Sequence, residues 1–198
     1  TTRTVPIISS SAGRIRTIGR EVGARHSEFA LRQFTQHDGL YVSDNAIVMM
    51  EMKLKARTSI EQYLKYCTLA ALEEKVGGKK DHVGMIYLVP TGAVPRTRKD
   101  LRLDDPVAMD QIWNDPAAFT DKSPLLRLLA NHPEEIRSVG ERLGLQIITW
   151  DDFMRAMLET RDDAAATGNE TLENLMQGVI AQIQATPDCG LRYADAST

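Results

Sequence analysis

Three side chains stand in an arrangement that could do chemistry. Glu51-Met52-Lys53 puts a carboxylate and an ammonium at the end of an apolar run, Ala46-Ile47-Val48-Met49-Met50. On a strand, residues two apart share a face and lie roughly 7 Å apart along it. Charged groups there are costly to bury without partners. Upstream, Asp38 begins a second strand-like run that ends at Asp44-Asn45, a turn-forming pair. A two-residue turn pairs Ser43 with Ala46, Val42 with Ile47, Tyr41 with Val48, Leu40 with Met49 and Gly39 with Met50. Asp38 then falls opposite Glu51, with Cβ atoms about 5 Å apart. Two carboxylates at that spacing repel unless a cation sits between them, and oxygen ligands suit Mg²⁺ or Mn²⁺. Such an ion could polarise a phosphodiester and generate hydroxide from bound water. Lys53 could hold that water or balance charge developing on phosphate. A three-residue turn would shift the register by one and send Asp38 to the other face.

The elements that must position these groups follow from periodicity and punctuation. Thr1 to Ser11 reads as a loose lead-in, and Arg14 to Gln36 as a helix weakened by Gly19 and Gly23. Asp38–Ser43 and Ala46–Lys55 read as two strands. The second is apolar on both faces over its first half and is expected in a sheet interior. Thr58 to Val76 is the clearest helix. Its buried stripe is Ile60, Leu64, Cys67, Ala71 and Leu72, and Gly77-Gly78 ends it. Ser59 with Gln62 has the form of a capping box. Asp81–Val89 is a further strand. Residues 91–122 are expected to be loop-rich and carry a basic cluster, Arg96, Arg98, Lys99 and Arg102. Ser123-Pro124 and Pro133 open two helices, the second running to Leu143-Gly144. Leu145–Trp150 is a short strand, Asp151 begins a helix, Ala164–Asn169 reads as a linker, and Glu170–Ala185 as a last amphipathic helix. The order predicts an α/β fold with a mixed central sheet flanked by helices on both faces. It predicts one domain over 1–198, with its motif-bearing core at 12–90, a loop-rich insertion at 91–122, further core at 123–163 and a C-terminal helix at 170–185.

Composition is ordinary for a globular protein: 198 residues, 42% hydrophobic and 26% charged. Thr1–Val5 lacks the apolar stretch of a secretory signal, and no run is long enough to cross a membrane. Cys67 and Cys189 match no metal-ligand spacing. A reducing, cytoplasmic compartment is expected. The net charge of −3 argues against a protein that coats nucleic acid, since such proteins are usually basic. It is compatible with carboxylates that hold metal while local Lys/Arg patches meet phosphate.

Asp38-Gly39, a dozen or so residues, then Glu51-Met52-Lys53 resembles the signature of the PD-(D/E)xK nucleases. The following Gln62-Tyr63-Leu64-Lys65-Tyr66 is similar to the QxxxY motif of RecB-type and related exonuclease members. The resemblance runs from Asp38 to about Val89. It implies a restriction-endonuclease-like core and a Mg²⁺- or Mn²⁺-dependent deoxyribonuclease. Asp38 and Glu51 would be metal ligands, Lys53 the catalytic lysine, and Gln62 with Tyr66 supporting site residues. The family often adds a glutamate from the preceding helix; Glu28 is the candidate here, with Glu21 one heptad earlier. His37 stands where many members have proline, and His26 is the nearest counterpart of a RecB-type histidine ligand. DNA is the expected partner, no membrane is involved, and a homodimer is the candidate assembly.

Plainer readings stand beside these. Gln62 can serve simply to close the capping box with Ser59. Tyr66 can be a half-buried packing residue, and Glu28 can pair with Arg32 at i,i+4. Arg96 to Arg102 can be a solvated loop. A second E-x-K copy, Glu73-Glu74-Lys75, is expected to be a solvated charge run at a helix end. The alternative function is a non-catalytic nuclease-fold subunit that binds nucleic acid or a protein, or an interaction protein joined through its C-terminal helix.

Overall fold

Asp44 and Asn45 form a two-residue turn, and this fixes the hairpin. The computed structural model describes residues 38–105 and 107–191. Ser43 N–H donates to Ala46 O at 2.9 Å. The Ser43 hydroxyl donates to Asn45 Oδ1 at 2.9 Å and accepts from Ala46 N–H at 3.0 Å, so one short side chain satisfies the turn. Strands β1 (Gly39–Val42) and β2 (Ala46–Met52) pair antiparallel, from Val42↔Ile47 out to Gly39↔Met50. This is the expected register. β2 ends at Met52 rather than Lys55.

Helix α1 (Ile60–Gly77) joins β2 to β3 (His82–Val89). Ser59 caps it, accepting Gln62 N–H at 3.2 Å, and Gly78 closes it at φ 77°, where a side chain would be strained. His82 N–H donates to Asn45 O at 3.0 Å, and Lys53 N–H to Leu88 O at 2.8 Å. Both ends of β2 thus match the same ends of β3, so the two run parallel, as a helical crossover requires. With β4 (Leu143–Thr149) the described residues form a four-stranded mixed sheet in the order β1-β2-β3-β4. The fold is α/β.

By chain contacts the described residues divide into two compact units. The first takes the residues up to Glu51, Thr58–Ile86 and Arg98–Gln146. α1 is its centre: Tyr63, Leu64, Tyr66, Cys67, Leu69, Ala70, Ala71 and Leu72 are all buried, wider than the single stripe expected. It packs on α4 (Ser123–Asn131) and α5 (Pro133–Arg142). Lys80, also buried, donates from Nζ to Gly77 O at 2.9 Å and Asp44 O at 3.3 Å, tying the helix end to the hairpin turn. Arg142 holds Lys80 O at 2.9 Å and Glu74 at 2.7 Å.

The second unit comprises Met52–Arg57, Tyr87–Thr97 and the described residues from Ile147. In it α6 (Trp150–Ala166) packs against α7 (Glu170–Gln184). Thr149 and Asp152 form a reciprocal capping box that starts α6 one residue earlier than expected. Trp150, expected at the end of the strand, is therefore helical, and it is buried. α6 also runs to Ala166, which shortens the expected linker; Asn169 caps α7.

Residues 91–122 are the main correction to the secondary-structure expectation. They carry helical turns at Thr91–Ala93 and Pro116–Phe119 and helices α2 (Val94–Asp100) and α3 (Ala108–Asn114). Pro95 and Pro116 sit in first turns, where a missing N–H costs nothing, so they open helices instead of breaking them. The basic cluster is partly engaged. Arg98 Nε donates to Asp104 at 3.1 Å, and the Arg102 guanidinium lies 5.1 Å from the centre of the Phe119 ring.

Burial pushes the Cys67 thiol up from 9.0 to about 12. The thiol therefore stays protonated in the folded protein at pH 8, and thiol reagents should reach Cys67 only after unfolding. The stability linked to it is fully present below pH 9.0 and lost as the pH rises through about 12. Gly140 on α5 faces Trp113, and a Cβ there would overlap the indole ring. Gly140→Ala should destabilise by about 1–3 kcal/mol through overpacking, read as a lowered melting temperature with a change in tryptophan emission.

Candidate functional site

Alternation along β2 sends Ile47, Met49 and Glu51 to one buried face. Their cross-strand partners Val42 and Leu40 are buried on that same face. Glu51 thus continues an apolar surface with a carboxylate, 7% exposed. An ionised carboxylate only accepts hydrogen bonds, so it needs donors here.

α1 supplies them. Gln62 and Tyr66 are four residues apart and so share a helix face. Gln62 Nε2 donates to Glu51 Oε1 at 2.8 Å, and the Tyr66 hydroxyl donates to Glu51 Oε2. Gln62 Nε2 also lies 3.3 Å from Tyr66 Oη. On the far side of the amide, the Thr58 hydroxyl donates to Gln62 Oε1 at 3.2 Å. Tyr66 is completely buried, and its polar end points at Glu51. Half of the expected capping box is present: Gln62 N–H bonds to Ser59, but the Gln62 side chain turns to Glu51 and Thr58.

The remaining candidates are placed as follows. Asp38 is exposed, one residue beyond the Gly39↔Met50 pair, and its N–H donates to Met50 O at 3.0 Å. The expected Asp38–Glu51 pair is not part of the ladder: in a regular antiparallel pairing Asp38 N–H would point away from β2, and its bond to Met50 O, the partner of Gly39, breaks the alternation before Asp38. Lys53 is the residue after β2, half-buried, in the second unit. Glu28, Glu21 and His26, with the helix expected over Arg14–Gln36, lie outside the described residues. Among the described residues, Glu51, Gln62 and Tyr66 are therefore brought together, with Asp38 at the adjoining end of the ladder.

Among the described residues no group of three His, Cys, Asp or Glu side chains forms a metal cluster. Asp38 and Glu51 are the described carboxylates of the expected set, and their chemistry suits a hard cation. A carboxylate has about four lone-pair positions. Gln62 and Tyr66 take one on each Glu51 oxygen.

Sequence reasoning missed Thr58, which is buried and bonded to Gln62. The signal was slight: a threonine just before the helix cap. The second E-x-K copy also needs correction. Glu73 is 5% exposed and Glu74 pairs with Arg142 at 2.7 Å, because α1 stays buried into its last turns against α5. Comparison with family models, with curated proteins and with solved structures finds no match to this chain.

Tyr66→Phe removes a donor from a buried carboxylate while keeping the ring. Such a loss costs about 1–3 kcal/mol, and urea unfolding should show it. Ser59→Ala, which removes only the helix cap, should cost about 1 kcal/mol.

Proposed function

We propose that this chain is a metal-dependent nuclease of the PD-(D/E)xK type, with a restriction-endonuclease-like core, hydrolysing phosphodiester bonds in DNA. The observation that carries the reading is Glu51: a carboxylate set into an apolar strand face and gripped by Gln62 and Tyr66. A side chain needed only for packing at that position would be apolar. The two-residue turn, which sets the expected pairing from Val42↔Ile47 to Gly39↔Met50 and so brings the start of β1 beside the end of β2, supports it further.

In this reading Asp38 and Glu51 hold Mg²⁺ or Mn²⁺, and Glu28, with Glu21 as substitute, is the third ligand. The ion would supply Lewis acidity toward the phosphate and a lowered pKa for bound water. Gln62 and Tyr66 keep the Glu51 oxygens in fixed positions. Lys53, two residues along the chain, orients the attacking water and offsets negative charge gathering on the phosphate oxygens. The exposed Arg96 and Lys99 are candidate contacts to the DNA backbone.

The test compares the wild type with Asp38→Ala and Lys53→Ala on linear, nicked and single-stranded DNA, with Mg²⁺ and with Mn²⁺. Each variant should lose activity by about 100-fold or more. Equal activity in all three proteins would sink the catalytic reading. Calorimetric titration with Mn²⁺ separates the alternative: Glu51→Ala should abolish binding. A wild type that binds Mn²⁺ yet cleaves no DNA would favour a non-catalytic subunit.

A further inference from the structure

The Gln62 side chain has two local uses that exclude each other. It stands three residues after the cap Ser59, where a glutamine ordinarily reaches back so that its oxygen accepts the cap residue's N–H. It also stands within reach of Glu51, which only its nitrogen can serve. The amide is found in the second arrangement, with Nε2 on Glu51 at 2.8 Å. The atom the capping box would need, Oε1, accepts from the Thr58 hydroxyl at 3.2 Å. Thr58 is 7% exposed, so water competes little for that hydroxyl.

We infer that Thr58 is a positioning residue: its hydroxyl takes Gln62 Oε1 away from the helix cap and so aims Gln62 Nε2 at the Glu51 carboxylate. Its consequence for metal rests on the proposed reading of Glu51 as a ligand. Thr58 touches neither Glu51 nor any reacting atom in this role; it acts through Gln62. The hydroxyl also bonds to the amide independently of the charge on Glu51. It therefore keeps the amide in place while the carboxylate's electron density is shared with a cation.

The experiment uses Thr58→Val, Thr58→Ala and Thr58→Ser in the full chain, each checked for folding by circular dichroism. Mn²⁺ is titrated calorimetrically. Thr58→Val and Thr58→Ala should weaken Mn²⁺ binding on the order of tenfold, as loss of an outer-shell partner does, while Thr58→Ser should stay within about threefold of wild type. In a Gln62→Ala background Thr58→Val should have no further effect. Unchanged affinity in Thr58→Val and Thr58→Ala, or the same loss with Gln62 already removed, would overturn the inference. If the wild type binds no Mn²⁺ at all, the metal reading fails by itself. The positioning role is then decided by the Gln62 side-chain amide signals in metal-free NMR spectra. Exchange protection present in wild type and Thr58→Ser but lost in Thr58→Val supports it, and identical protection in all three overturns it.

Discussion

A carboxylate on an apolar strand face must find hydrogen-bond donors, and the arrangement around β2 and α1 answers that need. Every other inward residue of this hairpin is hydrophobic: Leu40, Val42, Ile47 and Met49. Glu51 breaks the pattern at the last inward position of β2, and Gln62 and Tyr66 meet it from the crossover helix. Their spacing of one helical turn suits two donors for two oxygens. The bonds also restrict how α1 can rotate or slide over the strand, because apolar contacts alone are not directional. An apolar side chain at position 51 would satisfy the same face with no donors. A local rule broken and then compensated by several residues is the usual mark of a functional position.

The hairpin turn is the second constraint, because side-chain faces invert with a register slip of one. Here several groups act together against such a slip. Ser43 satisfies the turn from within, and Lys80 binds a turn carbonyl and the last turn of α1 with one ammonium. Arg142 in turn holds the Lys80 carbonyl and Glu74. The hairpin, the end of α1 and α5 are thus joined by charged side chains whose donors meet backbone oxygens. Burying Lys80 costs desolvation, which carbonyls at 2.9 and 3.3 Å offset. What the cluster adds is direction: it fixes where the turn sits against the helix.

Much of this was legible in the sequence, and the parts that were not have physical causes. The strands, α1 and the hairpin register follow from period two, period 3.6 and the Asp44-Asn45 turn, all local signals. The helices in 91–122 were hidden because proline reads as a breaker unless its place in a first turn is known. The burial of Glu73 was hidden because it depends on α5 packing where periodicity alone suggested solvent. The start of α6 was displaced by one residue because Thr149 could end a strand or cap a helix, and it does both. Gln62 was ambiguous for a related reason. Ser59 and Gln62 spell a capping box, and the competing partner, Glu51, is remote in sequence and reaches it across the β2–α1 connection. Thr58 could not be found without knowing which of the two Gln62 had taken. The helix expected to bear Glu28 lies outside the described residues, so the third proposed ligand stands on the resemblance alone.

The donors on Glu51 bear on the proposed metal in two opposing ways. Each hydrogen bond draws electron density from the carboxylate and so weakens its attraction for a cation. Each also removes a rotation that the carboxylate would otherwise lose on binding. For a hard ion that demands near-ideal octahedral geometry, such as Mg²⁺, ligand placement matters more than the last increment of charge. Such ions also keep several waters, so a site of few carboxylates suffices provided those carboxylates are held still. Glu51 meets that condition, with a tyrosine and a glutamine on its two oxygens and a threonine behind the glutamine. Asp38 is exposed at the end of its strand, its backbone tied to Met50. The two proposed ligands therefore differ in kind. One is held within the fold by donors on both oxygens, and the other stands exposed beside the strand end.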